Sequence, residues 1–333
     1  MERVELAHGS GGTLMHRLIK ELFVQSFDNP YLNRYEDSAV MVTSGNEVVF
    51  TTDSYVVDPL FFPGGDIGKL SISGTINDIA VMGAEPYGIA CSFILEEGFP
   101  VDDLKRIVAS MKDCAEGARC PIVTGDTKVV EKGKGDGVFI TTSAVGRKIA
   151  GVEVSRNTIR PQDVVLINGS IGDHGIAVLS KRKGMEFDTN VESDVRPLNG
   201  LIGELIRKKV LIKFMRDPTR GGVATTLNEI CAGGGLGITL FEEAIPVREE
   251  VRGLCEILGL DPLYVANEGK VIIIVDNQDR EKALDIMRAH ADGADAAFIG
   301  EVTDQPQKVV LRTSIGSHRV IDMLSGAQLP RIC

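Results

Sequence analysis

Four aspartates, one glutamate, two glycine-rich loops and a final cysteine carry the chemistry this sequence offers. Asp37 stands in Glu36-Asp37-Ser38-Ala39-Val40 just before a strand, and Asp53 closes the strand-like run that ends at Thr52. Asp78 lies in Thr75-Ile76-Asn77-Asp78-Ile79, and Asp126 closes a strand in Thr124-Gly125-Asp126-Thr127-Lys128. Strand ends and helix starts on one rim of a sheet converge on a crevice, the usual ligand site of α/β layers. Carboxylates gathered there repel one another unless cations hold them. Mg2+ suits such a set, because it takes oxygen ligands from a few carboxylates plus substrate phosphates. Singly, each aspartate also reads as the cap of a helix or turn.

His8-Gly9-Ser10-Gly11-Gly12-Thr13 precedes the first helix, and the N–H groups of such a turn form an anion nest. No Lys-Ser/Thr follows the glycines and no strand leads into a G-x-G-x-x-G, so this is neither a Walker loop nor a dinucleotide fingerprint. A flexible turn accounts for it about as well. Asp217-Pro218-Thr219-Arg220-Gly221-Gly222 is a second loop, in which Arg220 can pair with a phosphate and Asp217 can simply cap a turn. Asn267-Glu268-Gly269-Lys270 interrupts the approach to an apolar strand. Glu268 there is either a base with a raised pKa or a turn acid facing solvent. Leu329-Pro330-Arg331-Ile332-Cys333 sets a thiol on a short tail expected to be extended and mobile. Such a thiol can carry an attached group into a distant pocket. The adjacent terminal carboxylate raises its pKa and Arg331 works the other way.

The elements that must position these groups follow from periodicity. Leu14, Leu18, Ile19, Leu22 and Phe23 share one helical face, and Leu104, Ile107, Val108, Met111 and Ala115 another. Strand-like runs occur at 47–52, 87–95, 122–124 and 138–145, and the small residues of 71–84 predict a closely packed helix. A polar break at 151–161 marks the domain boundary. Beyond it come a strand at 163–167, helices at 176–181, 198–207, 223–231 and 279–290, and a late strand at 309–313. The aliphatic run Val271–Val275 must be a strand covered on both faces. The expected class is α/β or α+β in two domains; strand order is not set by the pattern.

Composition narrows the function classes. The 333 residues suit about two domains, and 43% hydrophobic with 25% charged residues is ordinary for a globular protein. Six scattered cysteines, without a C-x-x-C pair, argue against a zinc site or a disulfide framework. Met1-Glu2-Arg3-Val4-Glu5 has no apolar signal region, and no apolar run is long enough for a bilayer, so the expected place is the cytoplasm with no membrane partner. A net charge of −11 argues against nucleic acid, there being no basic stripe.

Glu36–Val40, Thr51-Thr52-Asp53-Ser54, the block Gly74–Pro86 with its Asn-Asp-x-x-x-x-Gly-Ala-x-Pro pattern, and Thr124-Gly125-Asp126-Thr127 together resemble the aminoimidazole ribonucleotide synthetase superfamily. The resemblance covers nearly the whole chain. Within the superfamily, the His8–Gly12, Asp217–Gly222 and Asn267–Lys270 loops and the Pro330-Arg331-Ile332-Cys333 ending are similar to the HypE family of hydrogenase maturation proteins. This resemblance implies a two-domain α/β (α+β) fold. An ATP- and metal-binding domain spans 1–150, a C-terminal α/β domain 151–324, and a mobile tail 325–333. It further implies a homodimer that pairs N-terminal sheets, with ATP near that interface.

The implied activity is ATP-dependent dehydration of a carbamoyl group on Cys333 to a thiocyanate, the source of the cyanide ligand of a [NiFe] hydrogenase. The implied partners are the carbamoyltransferase HypF and the HypC–HypD complex. ATP and Mg2+ are the implied cofactors, with Asp37, Asp53, Asp78 and Asp126 on metal. Gly9, Ser10, Gly11, Gly12, Asn77, Thr127 and Arg220 would bind nucleotide, and Cys333, Glu268 and Lys128 would be catalytic. Glu268 would take a carbamoyl proton and Lys128 would orient the carbamoyl. Two other readings compete. One is a related enzyme such as a selenophosphate synthetase, a thiamine-monophosphate kinase or a purine-pathway ligase; the first would want a Cys or selenocysteine in the N-terminal glycine loop, which has none, and the kinase or ligase has no need for Cys333. The other is a non-catalytic carrier that displays Cys333.

Overall fold

A computed structural model describes residues 4–9, 11–43, 45–182, 189–232, 235–324, 326, 329 and 331–333. The chain opens with a helix, α1 (Thr13–Leu18), continued through a π-helical turn (Ile19–Val24) into the short α2 (Gln25–Phe27). The hairpin β1 (Ala39–Thr43) and β2 (Asn46–Tyr55) follows. The two-residue strands β3 (Phe61–Phe62) and β4 (Gly65–Asp66) pair with each other and lead into α3 (Ile67–Val81). Then come β5 (Ala84–Glu96), α4 (Val101–Gly117), β6 (Ile122–Val130) and β7 (Val138–Lys148). The first sheet has the order β1-β2-β7-β5-β6, and β6 is its edge. Only β5 and β6 run parallel there, joined by the crossover helix α4 as a parallel pair requires.

The second half is built on β8 (Val164–Ile167), α5 (Asp173–Leu179), α6 (Asn199–Arg207), β9 (Ile212–Arg216), α7 (Gly222–Cys231) and β10 (Gly237–Phe241). It continues with α8 (Glu249–Leu258), β11 (Ile272–Val275), α9 (Arg280–Ala289), β12 (Ala297–Thr303), β13 (Val309–Arg312) and β14 (His318–Ile321). The seven-stranded order is β14-β13-β10-β12-β8-β11-β9. Strand β11 sits between β8 and β9 with every residue buried, which is why its sequence is aliphatic without alternation. Strands β9, β10, β12 and β14 and helix α8 were not singled out by periodicity.

Helix α3 positions the site. Thirteen of its fifteen residues are buried, so it has no polar face. Its small residues let it pack against the first sheet and also reach α6 and β9 of the second half. The Asp66 carboxylate caps it, accepting from the Gly68 and Lys69 N–H groups at 2.7 and 3.1 Å. Among the described residues no helix is long and apolar enough to cross a membrane.

The last residues of the tail, 331–333, lie in the seam between the halves. The Val56 and Asp58 N–H groups donate to the Cys333 and Arg331 carbonyls, both at 3.2 Å. Ile332, 2% exposed, joins a core containing Val57, Phe62, Val178, Val195 and Ala266. Burial of an apolar side chain of this size contributes about 1.5–3 kcal/mol, enough to hold a short segment in place.

Candidate active site

A cavity of about 240 Å³ opens between the two halves, and its wall is assembled from both. Strand β2 delivers Asp53 and Tyr55, helix α3 delivers Asp78 and Gly74, and the loop ahead of β1 delivers Asp37. From the second half come Arg216 at the end of β9, Asp217 and Arg220 of the loop before α7, Glu229 of α7, and Glu268. Gly11 closes one side, and Cys333 reaches in from the tail. Asp53 lies within β2 rather than at its end, one alternation away from buried Thr51 and Tyr55.

The carboxylates crowd one another in a poorly solvated space. Burial raises the pKa of Asp53 and Asp37, and pushes Asp78 well up, with Asp53 and Asp217 adding repulsion at Asp78. Asp217 is raised to about 7 by burial and by Asp37. Glu268, 3% exposed, is pushed well above its ordinary value by burial and by Asp217 and Asp194, and its Oε1 has no hydrogen-bond partner. Glu268 Oε1 thus lies in the cavity wall with no hydrogen bond from the described residues.

Two cations offset this charge. Arg216 bridges Asp37 at 2.6 Å and Glu229 at 2.9 Å, and His16 also meets Glu229 at 2.6 Å. Arg220 stands beside Cys333 and Asp53, which raise its pKa. Burial pushes the Cys333 thiol up to about 12, outweighing Arg220. A docked Cys333 is therefore a protonated thiol and a poor nucleophile.

Backbone and side-chain networks hold these groups. The Thr51 hydroxyl donates to Asp78 Oδ2 at 2.7 Å, and the Tyr55 hydroxyl donates to Asp53 at 3.2 Å. Gly74 leaves room for Tyr55, whose hydroxyl lies 2.4 Å from where a Cβ would stand. The Glu268 turn is clamped by Asp194, which accepts from the Glu268 and Gly269 N–H groups at 3.1 and 3.2 Å and pairs with Lys270 at 3.0 Å. Lys270 holds the Asp194 carboxyl below its ordinary pKa against the opposing effect of burial.

The glycine loops fit against each other. Gly11, at φ +79°, has space for no side chain because the Arg220 carbonyl is 2.7 Å from its Cβ position, and Gly12 faces the Leu324 carbonyl at 2.3 Å. Arg220 donates to the Gly9 carbonyl at 2.9 Å. Gly9 thus helps to hold Arg220, and Gly11 lines the cavity. Ser10 lies outside the described residues.

Asn77 does not face the cavity. Its amide donates to the Arg196 and Glu268 carbonyls at 3.2 and 3.4 Å and accepts from the Leu198 N–H at 2.7 Å. It is a buried clasp between the halves, not a phosphate ligand in this arrangement. Asp126, Thr127 and Lys128 are also elsewhere. They project from the exposed edge strand β6, where Lys128 pairs with Asp126 at 2.7 Å and Asp126 accepts from the Thr127 N–H at 2.8 Å. Residue types suggested a common rim, but β6 is the far edge of the sheet and Asp126 sits mid-strand.

Residues 35–148 match the family model of the AIR synthase related protein N-terminal domain, and 160–312 that of its C-terminal domain. The chain is 53% identical to the carbamoyl dehydratase HypE of Cupriavidus necator, covering 99% of this chain and 95% of that protein. The HypE of Escherichia coli is 46% identical, with both chains covered completely. The chain belongs to the HypE family. A solved HypE–HypF complex superposes with a TM-score of 0.88 at 51% identity, covering 92% of this chain and 99% of that one. A HypE structure in complex with ATP gives 0.83 at 46%, covering 99% and 100%. A thiamine-monophosphate kinase from Aquifex aeolicus, 19% identical with a TM-score of 0.67 over 92% and 99% of the chains, shares the fold alone.

Sequence reasoning missed Arg216, Glu229 and His16 as wall residues. Arg216 ends an unremarkable strand, and Glu229 appears as one more polar residue of a helix. Asp217 was visible only as a turn residue within its loop. Asp194, remote from any motif, gave no signal at all.

Proposed function

We propose that this protein is an ATP-dependent carbamoyl dehydratase that works on its own Cys333 in hydrogenase maturation. The observation that carries this is Cys333 inside a cavity walled by acids, beside Arg220 and Glu268, whose Oε1 takes no hydrogen bond from the described residues. Membership of the HypE family supports it, as do relatives named carbamoyl dehydratase and relatives solved with ATP and with HypF.

The chemistry uses these residues as follows. Oxide is a poor leaving group, so the carbamoyl oxygen on S–C(=O)–NH2 first takes the γ-phosphoryl group of ATP. Phosphate then leaves with that oxygen, the nitrogen loses its two protons, and S–C≡N remains with ADP. Phosphoryl transfer needs placement and charge neutralisation more than covalent help. Arg220 supplies a fixed positive charge for a phosphate and the docked tail supplies proximity. Glu268 takes a nitrogen proton, which it does only when ionised, so positive charge arriving with the nucleotide must lower its raised pKa.

Mg2+ fits the donor set. Among the described residues no three carboxylate, histidine or cysteine groups stand together as a finished metal centre. Asp53, Asp78 and Asp217 nevertheless present hard oxygen ligands with raised pKa values, as a site does that is completed by a cation and substrate phosphates. Asp37 is engaged by Arg216 and would have to exchange that partner to join them. Bound Mg2+ supplies neutralisation of phosphate charge.

Lys128, Thr127 and Asp126 fit this reading through a second copy of the chain. The β6 edge and its neighbours expose Tyr87, Ile94, Ile122, Val123 and Val129, five large apolar side chains next to these polar ones. Pairing of this sheet in a homodimer covers them and carries the three residues toward the partner's cavity. HypF as carbamoyl donor and HypC–HypD as cyanide acceptor complete the reading. All six cysteines are free, which suits the reducing cytoplasm.

The test is the mass of the Cys333 peptide. After carbamoylation, adding Mg-ATP should remove one water from the adduct. A small-molecule kinase or a passive carrier would leave it unchanged.

A further inference from the structure

The described tail is held on two sides. On one, Val56 and Asp58 pair with the Cys333 and Arg331 carbonyls. On the other stands His174 at the start of α5, fully buried, whose Nε2 lies 2.8 Å from the Ile332 carbonyl and whose Nδ1 lies 2.8 Å from Ser193 Oγ. A carbonyl only accepts, so Nε2 carries the proton. Ser193 Oγ already accepts from the Val195 N–H at 3.1 Å, which leaves its own hydrogen for Nδ1. Every donor and acceptor in the chain from Val195 through Ser193 and His174 to Ile332 is then used once. The Phe62 ring meets the imidazole edge-on at 5.4 Å and fixes its plane. Burial lowers the His174 pKa, in keeping with the neutral ring this network requires.

We propose that His174 is a positioning residue for Cys333: by donating from Nε2 to the Ile332 carbonyl it holds the tail in the register that puts the thiol into the acidic cavity, and Ser193 sets the tautomer that makes the donation possible. Arg331 at φ +52° bends the chain immediately before this bond. A non-glycine residue adopts that conformation at a cost, so the bonds around it must offset the bend. Arg182, which donates to the Arg331 and Asp58 carbonyls at 2.9 and 3.0 Å, shares that task. The Ile332 bond acts on the residue next to the thiol, adding a direction to the hold that burial of its side chain gives. The role in dehydration rests on the proposed function; the docking role does not.

The test separates the two. Full-length, uncarbamoylated protein is treated with iodoacetamide without nucleotide, and the Cys333 and Cys255 peptides are followed by mass spectrometry. Cys255, 1% exposed, reports global opening. In His174→Asn the amide reaches the Nδ1 position but not the tail. Labelling of Cys333 should rise roughly fivefold to a hundredfold, the effect of a lost buried hydrogen bond, with Cys255 unchanged. In His174→Gln an amide N–H stands near the Nε2 position, and protection should return close to wild type. Equal labelling of Cys333 in wild type and His174→Asn, or equal labelling in the Asn and Gln variants, overturns the proposal. Should His174→Asn also open Cys255, Ser193→Ala decides: a severalfold rise at Cys333 alone supports the latch, and no rise overturns it. In carbamoylated His174→Asn, dehydration should slow while carbamoyl acquisition does not. If labelling rises and the adduct never loses water even in wild type, the latch stands and the dehydratase reading fails.

Discussion

The charge crowded into the cavity makes a prediction about stability that needs neither substrate nor partner. Asp217 titrates near 7 in the folded chain against an ordinary 3.8, so the folded form holds a proton across this window that the unfolded chain has released. The sign follows: this contribution is complete below about pH 4 and is lost as pH rises through 7. Three pH units correspond to roughly 4 kcal/mol, an upper limit because Asp53, Asp78 and Asp37 share the same repulsion. Asp217→Asn keeps the shape and removes the charge. Without nucleotide, the variant should melt close to wild type at pH 4 and several degrees above it at pH 8, taking ~2 °C per kcal/mol for a chain this long. Thermal unfolding at the two pH values reads this directly. A difference between variant and wild type that is the same at both would refute the reasoning. Mg-ATP should also narrow the wild-type deficit at pH 8, since bound cations discharge the cluster.

Gly12→Ala places a methyl group 2.3 Å from the Leu324 carbonyl and should displace the loop that buttresses Arg220, weakening ATP binding measured by titration calorimetry at least severalfold. Gly253→Ala is the control: its Cβ meets nothing within 4 Å in the interior of α8, so it should raise stability by about 0.5–1 kcal/mol and leave ATP affinity unchanged. On the sheet pairing proposed above, wild type should scatter as a dimer and Val129→Glu, on the exposed β6 edge, as a monomer with weaker ATP binding; a monomeric wild type or a dimeric variant contradicts that pairing.

The long, strongly patterned elements were readable because their burial is uniform or strictly periodic. Helix α4 buries Ile107, Met111, Cys114 and Ala115 along one face, and β11 is buried on both sides, so each announces itself. Strand β10 did not, since a five-residue strand such as Gly237-Ile238-Thr239-Leu240-Phe241 carries too few alternations to stand out, whereas helix α8 has a clear one-sided pattern that periodicity could have found. Individual site residues followed the same logic. Asp37, Asp53, Asp78, Arg220, Glu268 and Cys333 sit in distinctive local sequences and meet in one cavity. Asp126 and Lys128 have equally distinctive surroundings, yet an edge strand carries them to the opposite margin of the sheet, and strand order is a long-range property that no local pattern encodes. Asn77 was a polar residue in a marked motif, and only the packed structure reveals that its partners are the backbone at 196, 198 and 268. The pattern does not show where Ile332 lodges, because the groove that receives it is made of residues far apart in sequence.

The central claim is that the oxygen of a group carried by Cys333 is removed by phosphorylation inside this cavity. Carbamoylating Cys333 with a heavy oxygen isotope in the carbamoyl group, then adding Mg-ATP, tests it in one turnover. The label should appear in inorganic phosphate, the Cys333 peptide should become lighter by the labelled oxygen and two hydrogens, and Glu268→Gln should retain the labelled adduct. Label that stays on the peptide, or that passes to bulk water while phosphate remains unlabelled, would contradict the account.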